Sequence, residues 1–81
     1  MIEQIKPSLT VEEASKYKGK FVRVFFKQKV GNPVFLGFKI DGVDENKLTV
    51  IFTDGMKKTY AANTGQFVTE DGYGLFLDSV T

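Results

Sequence analysis

The run Val34-Phe35-Leu36-Gly37-Phe38-Lys39-Ile40-Asp41-Gly42-Val43-Asp44 constrains this chain more than any other stretch. Val34, Leu36, Phe38 and Ile40 fall on one face, and Phe35, Gly37, Lys39 and Asp41 on the other. That is the period-two pattern of a half-buried β-strand. At about 3.3 Å per residue the run reaches roughly 36 Å, too long for a small barrel to hold straight. A bend is therefore expected at Gly37 or Gly42, where a missing Cβ makes a bulge cheap. A long bent strand in a chain of 81 residues predicts one small all-β domain wrapped around it.

The flanking segments extend this reading. Residues 1–9 are expected to be a poorly ordered lead, with Pro7 keeping Lys6 out of helical geometry. A short helix is predicted over residues 10–18. Thr10 is its N-cap, Glu13 completes a capping box, Leu9 and Ala14 stand at the staple positions, and Gly19 is a left-handed stop. At about two turns it needs a surface to rest on, and its thin apolar set suits it to capping one barrel end. Residues 20–80 then form the barrel. Lys20–Lys29 alternates Val22, Val24 and Phe26 inward against Phe21, Arg23 and Phe25 outward. The loop Gly31-Asn32-Pro33 leads into the long strand. Leu48–Thr53 follows, with Leu48, Val50 and Phe52 inward. Asp54-Gly55 reads as a two-residue type I′ hairpin loop into Met56–Ala62. Tyr73–Val80 closes the chain, and Gln66-Phe67-Val68 extends or adds a strand. The expected architecture is thus all-β with a short N-terminal helix: a five-stranded, strongly bent antiparallel barrel of the Sm-like or, alternatively, SH3-like kind.

Composition removes several functions. No apolar run approaches the ~20 residues of a membrane helix. Residues 1–6 lack the features of a signal peptide, and there is no cysteine, so a cytoplasmic protein without disulfides is expected. The absence of histidine removes imidazole acid–base chemistry and the commonest metal ligand. The chain reads as a non-enzyme with no catalytic residue, metal or cofactor. A net charge of +1 gives no general attraction to nucleic acid, so any such binding needs a local patch or one repeated by symmetry.

Three groups of residues carry possible function. Phe21, Phe25 and Phe35 lie on the faces opposite the core set. Either barrel curvature covers them, or they form an apolar subunit interface. An SH3-like adaptor would use them as a peptide groove. The basic residues, interleaved with aromatics, suit a single-strand binder, although Asp and Glu nearly balance them. Asp41, Asp44 and Glu45 cluster at a turn, where side chain to backbone hydrogen bonding explains them more simply than acid–base work or a cation. Gly72-Tyr73-Gly74 likewise reads as a turn.

The order of elements, from about Leu9 to Val80, resembles the Sm/LSm family. Ile40-Asp41-Gly42-Val43-Asp44 is similar to the end of its first signature, with Gly37 one residue from the expected glycine. The loop Asp44-Glu45-Asn46-Lys47-Leu48 is a residue shorter than the family's and lacks its Met-Asn pair. Leu77-Asp78-Ser79-Val80 stands where the second signature has Arg-Gly, and the Lys-His pair of the bacterial branch is absent. The pattern is similar to compact, divergent Sm-like proteins of phage type. The resemblance implies a homo-oligomeric ring of five to seven copies, with Phe21, Phe25, Phe35, Leu75 and Leu77 at the subunit interface. It also implies single-stranded RNA bound by Asp44, Asn46 and Lys47, with no membrane partner. Without RNA, the same ring would be a structural or protein-interaction module.

Overall fold

A computed structural model describes residues 7–81. Among these residues one short helix, α1 (Val11–Lys16), precedes six strands: β1 (Phe21–Phe26), β2 (Val34–Val43), β3 (Lys47–Phe52), β4 (Lys57–Asn63), β5 (Gln66–Val68) and β6 (Phe76–Val80). All pair antiparallel in one sheet of order β5-β4-β3-β2-β1-β6. The expected five strands become six because Gln66–Val68 pairs with Ala61–Asn63 as a separate strand.

β2 sits at the centre and bends at one of the two glycines. Ile40 pairs with Val50 but Gly42 with Thr49, so Asp41 is the extra residue of a bulge. The bulge changes the phase of the strand. Phe38 and Ile40 point into the core before it, and Val43, opposite Leu48, packs on the core after it. Gly37 serves a different purpose: a Cβ there would stand 3.1 Å from the Phe21 ring, so the glycine lets that ring lie on the sheet. A second register shift leaves Asp78 as the extra residue of β6, between Leu77 opposite Val24 and Ser79 opposite Arg23.

The helix is shorter than predicted, but its start is as expected. Thr10 Oγ1 accepts from the Glu13 N–H at 3.1 Å. The Glu13 carboxylate turns to Lys16 at 3.2 Å, so only half of the capping box forms. Gly19 adopts φ +84°, and its N–H donates to the Ile40 carbonyl at 2.7 Å, tying the helix exit to β2.

The first six positions of the expected lead lie outside the described residues. Positions 7–9 are not loosely held but hydrogen-bonded between the sheet's two edge strands. The Leu77 N–H donates to the Pro7 carbonyl and the Leu9 N–H to the Leu75 carbonyl, both at 2.8 Å; the Phe67 N–H donates to the Leu9 carbonyl at 2.9 Å. Leu9 is fully buried. The physical reason is burial: an apolar side chain between two open edges brings its backbone groups to partners that both edges lack.

The core comprises Leu9, Ala14, Val22, Val24, Phe38, Ile40, Leu48, Val50, Tyr60, Phe67, Leu75 and Leu77. Leu75 and Leu77, expected at a subunit interface, have side chains that fill the chain's own interior. Of the other expected inward residues, Phe26, Leu36 and Phe52 pack on the core but remain half-exposed at one end.

Turn geometry reverses one expectation. Asp54-Gly55 is not a two-residue type I′ loop, because only Gly55 has positive φ. The Gly55 N–H donates to the Phe52 carbonyl, the Phe52 N–H to the Met56 carbonyl, and Asp54 Oδ1 accepts from the Met56 N–H, giving a three-residue loop closed by glycine. Two successive positive φ values occur instead at Thr64 (51°) and Gly65 (86°), between β4 and β5. A β-branched residue is strained there. Thr64→Asn is expected to stabilise the fold by about 0.5–1 kcal/mol, read as a higher urea midpoint at unchanged m.

Candidate functional site

Two surfaces hold the residues singled out from sequence. The first is the end of the sheet where β2 passes into β3. Asp44 Oδ1 accepts from the N–H groups of Asn46 (2.8 Å) and Lys47 (2.9 Å). Both bonds favour the ionised carboxylate, with the Asn46 N–H the larger cause, and they hold the Asp44 pKa below the usual carboxylate range. Asp44 is thus the turn-former, its carboxylate engaged by its own loop. Among the described residues, no group of three or more acidic side chains is placed to hold a metal ion.

The loop is also docked sideways. The Ala62 N–H donates to the Asn46 carbonyl at 3.0 Å, setting the Asp44–Lys47 loop beside the turn between β4 and β5. The side chains of Asn46, Lys47 and Asn63 are all exposed at this end. Sequence reasoning missed Asn63. The available signal was Asn63-Thr64-Gly65 at the spacing of a two-residue hairpin loop, which places Asn63 at a strand end rather than in a long polar loop.

A pH test follows from Asp44. Its folded pKa is depressed, so its contribution to stability is present above the unfolded carboxylate pKa and is lost as pH falls through the lower folded value. Asp44→Asn keeps an accepting oxygen but cannot titrate. It should be less stable than the parent at neutral pH, and the difference should close as acid protonates Asp44. Urea midpoints from pH 7 to the acid limb would show this; parallel curves for the two proteins would contradict it.

The second surface is the outer face of β2, β1 and β6. Phe25 pairs across strands with Phe35 and Phe76, its ring centroid 5.6 Å and 5.5 Å from theirs. The Arg23 guanidinium lies over the Phe35 ring at 4.4 Å and 3.7 Å from the Asp78 carboxylate. Phe35 is 46% exposed and Phe21 37%. With Arg23, Gly37, Ser79 and Thr81 they border an open concavity of about 400 Å³. Curvature therefore does not cover the outward phenylalanines; two stay open and Phe25 is half-buried among its neighbours. Leu77–Val80 lies on β6, whereas the turn between the fourth and fifth strands is Thr64-Gly65.

Compared with models of known protein families, with curated proteins and with solved structures, the chain matches none. Among the described residues no helix is long and apolar enough to cross a membrane. The described residues thus define the class: one six-stranded antiparallel β-sheet with one short helix.

Proposed function

We propose that this chain is a subunit of a homo-oligomeric, Sm-like ring that binds single-stranded RNA in the cytoplasm. The observation that carries the reading is the juxtaposition of the Asp44–Lys47 loop with the Asn63–Gln66 turn, through the Ala62–Asn46 hydrogen bond. It sets two exposed amides and an ammonium at one end of the sheet. In this mechanism Asn46 and Asn63 hydrogen-bond the edges of an unstacked base, and Lys47 contacts a phosphate. One such site is weak; five to seven copies around a ring act by avidity. The reading takes the sheet as a closed barrel, supported by the way Leu9 links Phe67 to Leu75 across its two edges. Subunits would meet through Phe21, Phe25 and Phe35.

A structural or protein-interaction ring without nucleic acid is the second reading. It is favoured by the outer face, where exposed Phe35 and Phe21 have a use in association that needs no RNA.

Native mass and fluorescence titration with oligo-U and oligo-A at two salt concentrations separate the two. The RNA reading expects a mass of five to seven chains and binding that weakens with salt. Asn46→Ala should weaken binding by about 1 kcal/mol. Lys47→Ala should lower the slope of log K against log salt by roughly 0.7 per phosphate contact. Neither change should alter the mass. An intact ring that binds neither oligomer at low salt selects the structural reading, and a monomer removes both.

A further inference from the structure

The opposite end of the sheet, where β1 and β3 finish and β2 and β4 begin, leaves three core-facing side chains incompletely covered. Phe26, Leu36 and Phe52 are half-buried there. With Tyr60, Lys58 and the loop Thr69–Asp71 they line a cavity of about 260 Å³. Aromatic rings back it. Phe38 stands edge-on to Phe52 at 5.8 Å and 6.0 Å from Tyr60, while Tyr73 stacks on Phe26 at 5.8 Å. The loop is built rather than loose. The Thr69 N–H donates to the Tyr73 carbonyl at 2.8 Å, the Gly72 N–H to the Thr69 carbonyl at 2.9 Å, and the Tyr73 N–H to Thr69 Oγ1 at 3.1 Å.

The charges at this mouth point to its ligand. Glu70 and Asp71 face a single ammonium, so the rim is net negative. That ammonium, Lys58 Nζ, lies 3.1 Å from Glu70 Oε1 and 5.2 Å from the centre of the Tyr60 ring. A cation of the chain itself already sits between an aromatic ring and a carboxylate. The Glu70 side chain is 78% exposed, so the ion pair holding Lys58 is weak and readily exchanged.

We propose that this aromatic mouth binds an alkylated ammonium group, and that Lys58 is an internal stand-in that the ligand displaces. A primary ammonium is compact and strongly hydrated, and gives up much of its water to approach a ring face. An alkylated ammonium is less hydrated, spreads its charge over methyl groups and gains more from aromatic walls. Carboxylates at the rim favour a cation over a neutral or anionic group of the same shape. The cavity is smaller than the roughly 300–1,000 Å³ that takes a drug-sized molecule, so it selects a head group rather than a large ligand. The same head group can arrive free, as a choline-like molecule, or on a methylated lysine side chain. The site lies at the end away from the Asp44–Lys47 loop and does not depend on the RNA reading.

The test is a titration of the full chain with tetramethylammonium chloride at constant ionic strength, followed by aromatic NMR signals. The expected result is saturable shifts confined to Phe26, Phe52, Tyr60 and Tyr73, absent with tert-butanol, a neutral molecule of similar shape. Lys58→Ala should tighten binding by about two- to fivefold and Glu70→Gln should weaken it by a similar factor, the range of an exposed ion pair. The same spectra report whether each variant is folded, and both positions are surface-accessible. Choline and N-acetyl-trimethyl-lysine methylamide, run side by side, distinguish a free ligand from a modified peptide by which binds tighter. Equal shifts with tert-butanol would reduce the site to an apolar dimple and overturn the proposal. So would the lack of saturable shifts in folded Lys58→Ala.

Discussion

Replacing Leu9 by alanine is expected to destabilise the fold by about 2–5 kcal/mol, the range for truncating a fully buried leucine. A small domain has about 5–15 kcal/mol in total, so much of the protein would unfold under mild denaturant. The expectation rests on position as well as burial. Leu9 has no exposure, its N–H donates to Leu75 and its carbonyl accepts from Phe67, so its side chain locates the segment that spans both sheet edges. Urea unfolding would read the loss, and amide exchange at Phe67 and Leu75 should accelerate more than exchange in β2 and β3. Leu9→Met, which conserves volume, should cost less than about 1.5 kcal/mol. A Leu9→Ala protein within 0.5 kcal/mol of the parent would return residues 7–9 to a loose lead.

Phe38→Ala should cost about 3–5 kcal/mol, the range for truncating a fully buried phenylalanine. Phe38 is fully buried on a central strand and packs edge-on to Phe52 and against Tyr60, so its loss leaves a void beside those two rings. Phe35→Ser, three residues earlier on the other face, should change stability by no more than about 1 kcal/mol because the ring is already 46% exposed. If the proposed ring forms through this face, the effect falls on native mass. Denaturation midpoints and native mass on the two variants separate a core phenylalanine from a surface one in the same strand. Equal stability losses would mean that the outer face belongs to the chain's own packing.

Much of the architecture is legible before any coordinates. The alternation at Leu36, Phe38 and Ile40 places β2 and its faces, because side chains in an extended chain point to alternate sides whatever surrounds them. Thr10 and Gly19 bracket the helix for equally local reasons: a hydroxyl accepts from the first turn, and only a residue without a Cβ turns left-handed freely. That β2 must bend follows from its length, whereas the choice of Asp41-Gly42 over Gly37 appears only in its register with β3. Local rules failed where two turn solutions compete. Asp54-Gly55 has the composition of a type I′ turn, but the Asp54 carboxylate binding the Met56 N–H goes with a longer loop.

The candidate site was only half legible. Asn46 and Lys47 follow from an exposed turn, and the self-capping of Asp44 is what an aspartate does at such a place. Asn63 lies distant in sequence and joins them only because β4 returns beside β3. Tyr60, Lys58 and Glu70 likewise mean little in the sequence and acquire an arrangement only when the Thr69–Tyr73 loop folds over the sheet end.

Sequence alone determined the strand-rich class, the central strand with its bend, the helix start, and the outward set Phe21, Phe25 and Phe35, since these depend on periodicity and on single-residue backbone preferences. Tertiary structure decided that Pro7–Leu9 spans the sheet edges, that Leu75 and Leu77 are core rather than surface, and that a small cavity with an acidic rim stays open beside Lys58. The division has one cause. Which face a residue occupies is a local property of an extended chain, but what covers that face depends on segments far away in sequence. The alternation in β2 could therefore show that Phe35 and Phe38 point oppositely, and only the folded sheet could show that Phe38 is enclosed and Phe35 is not.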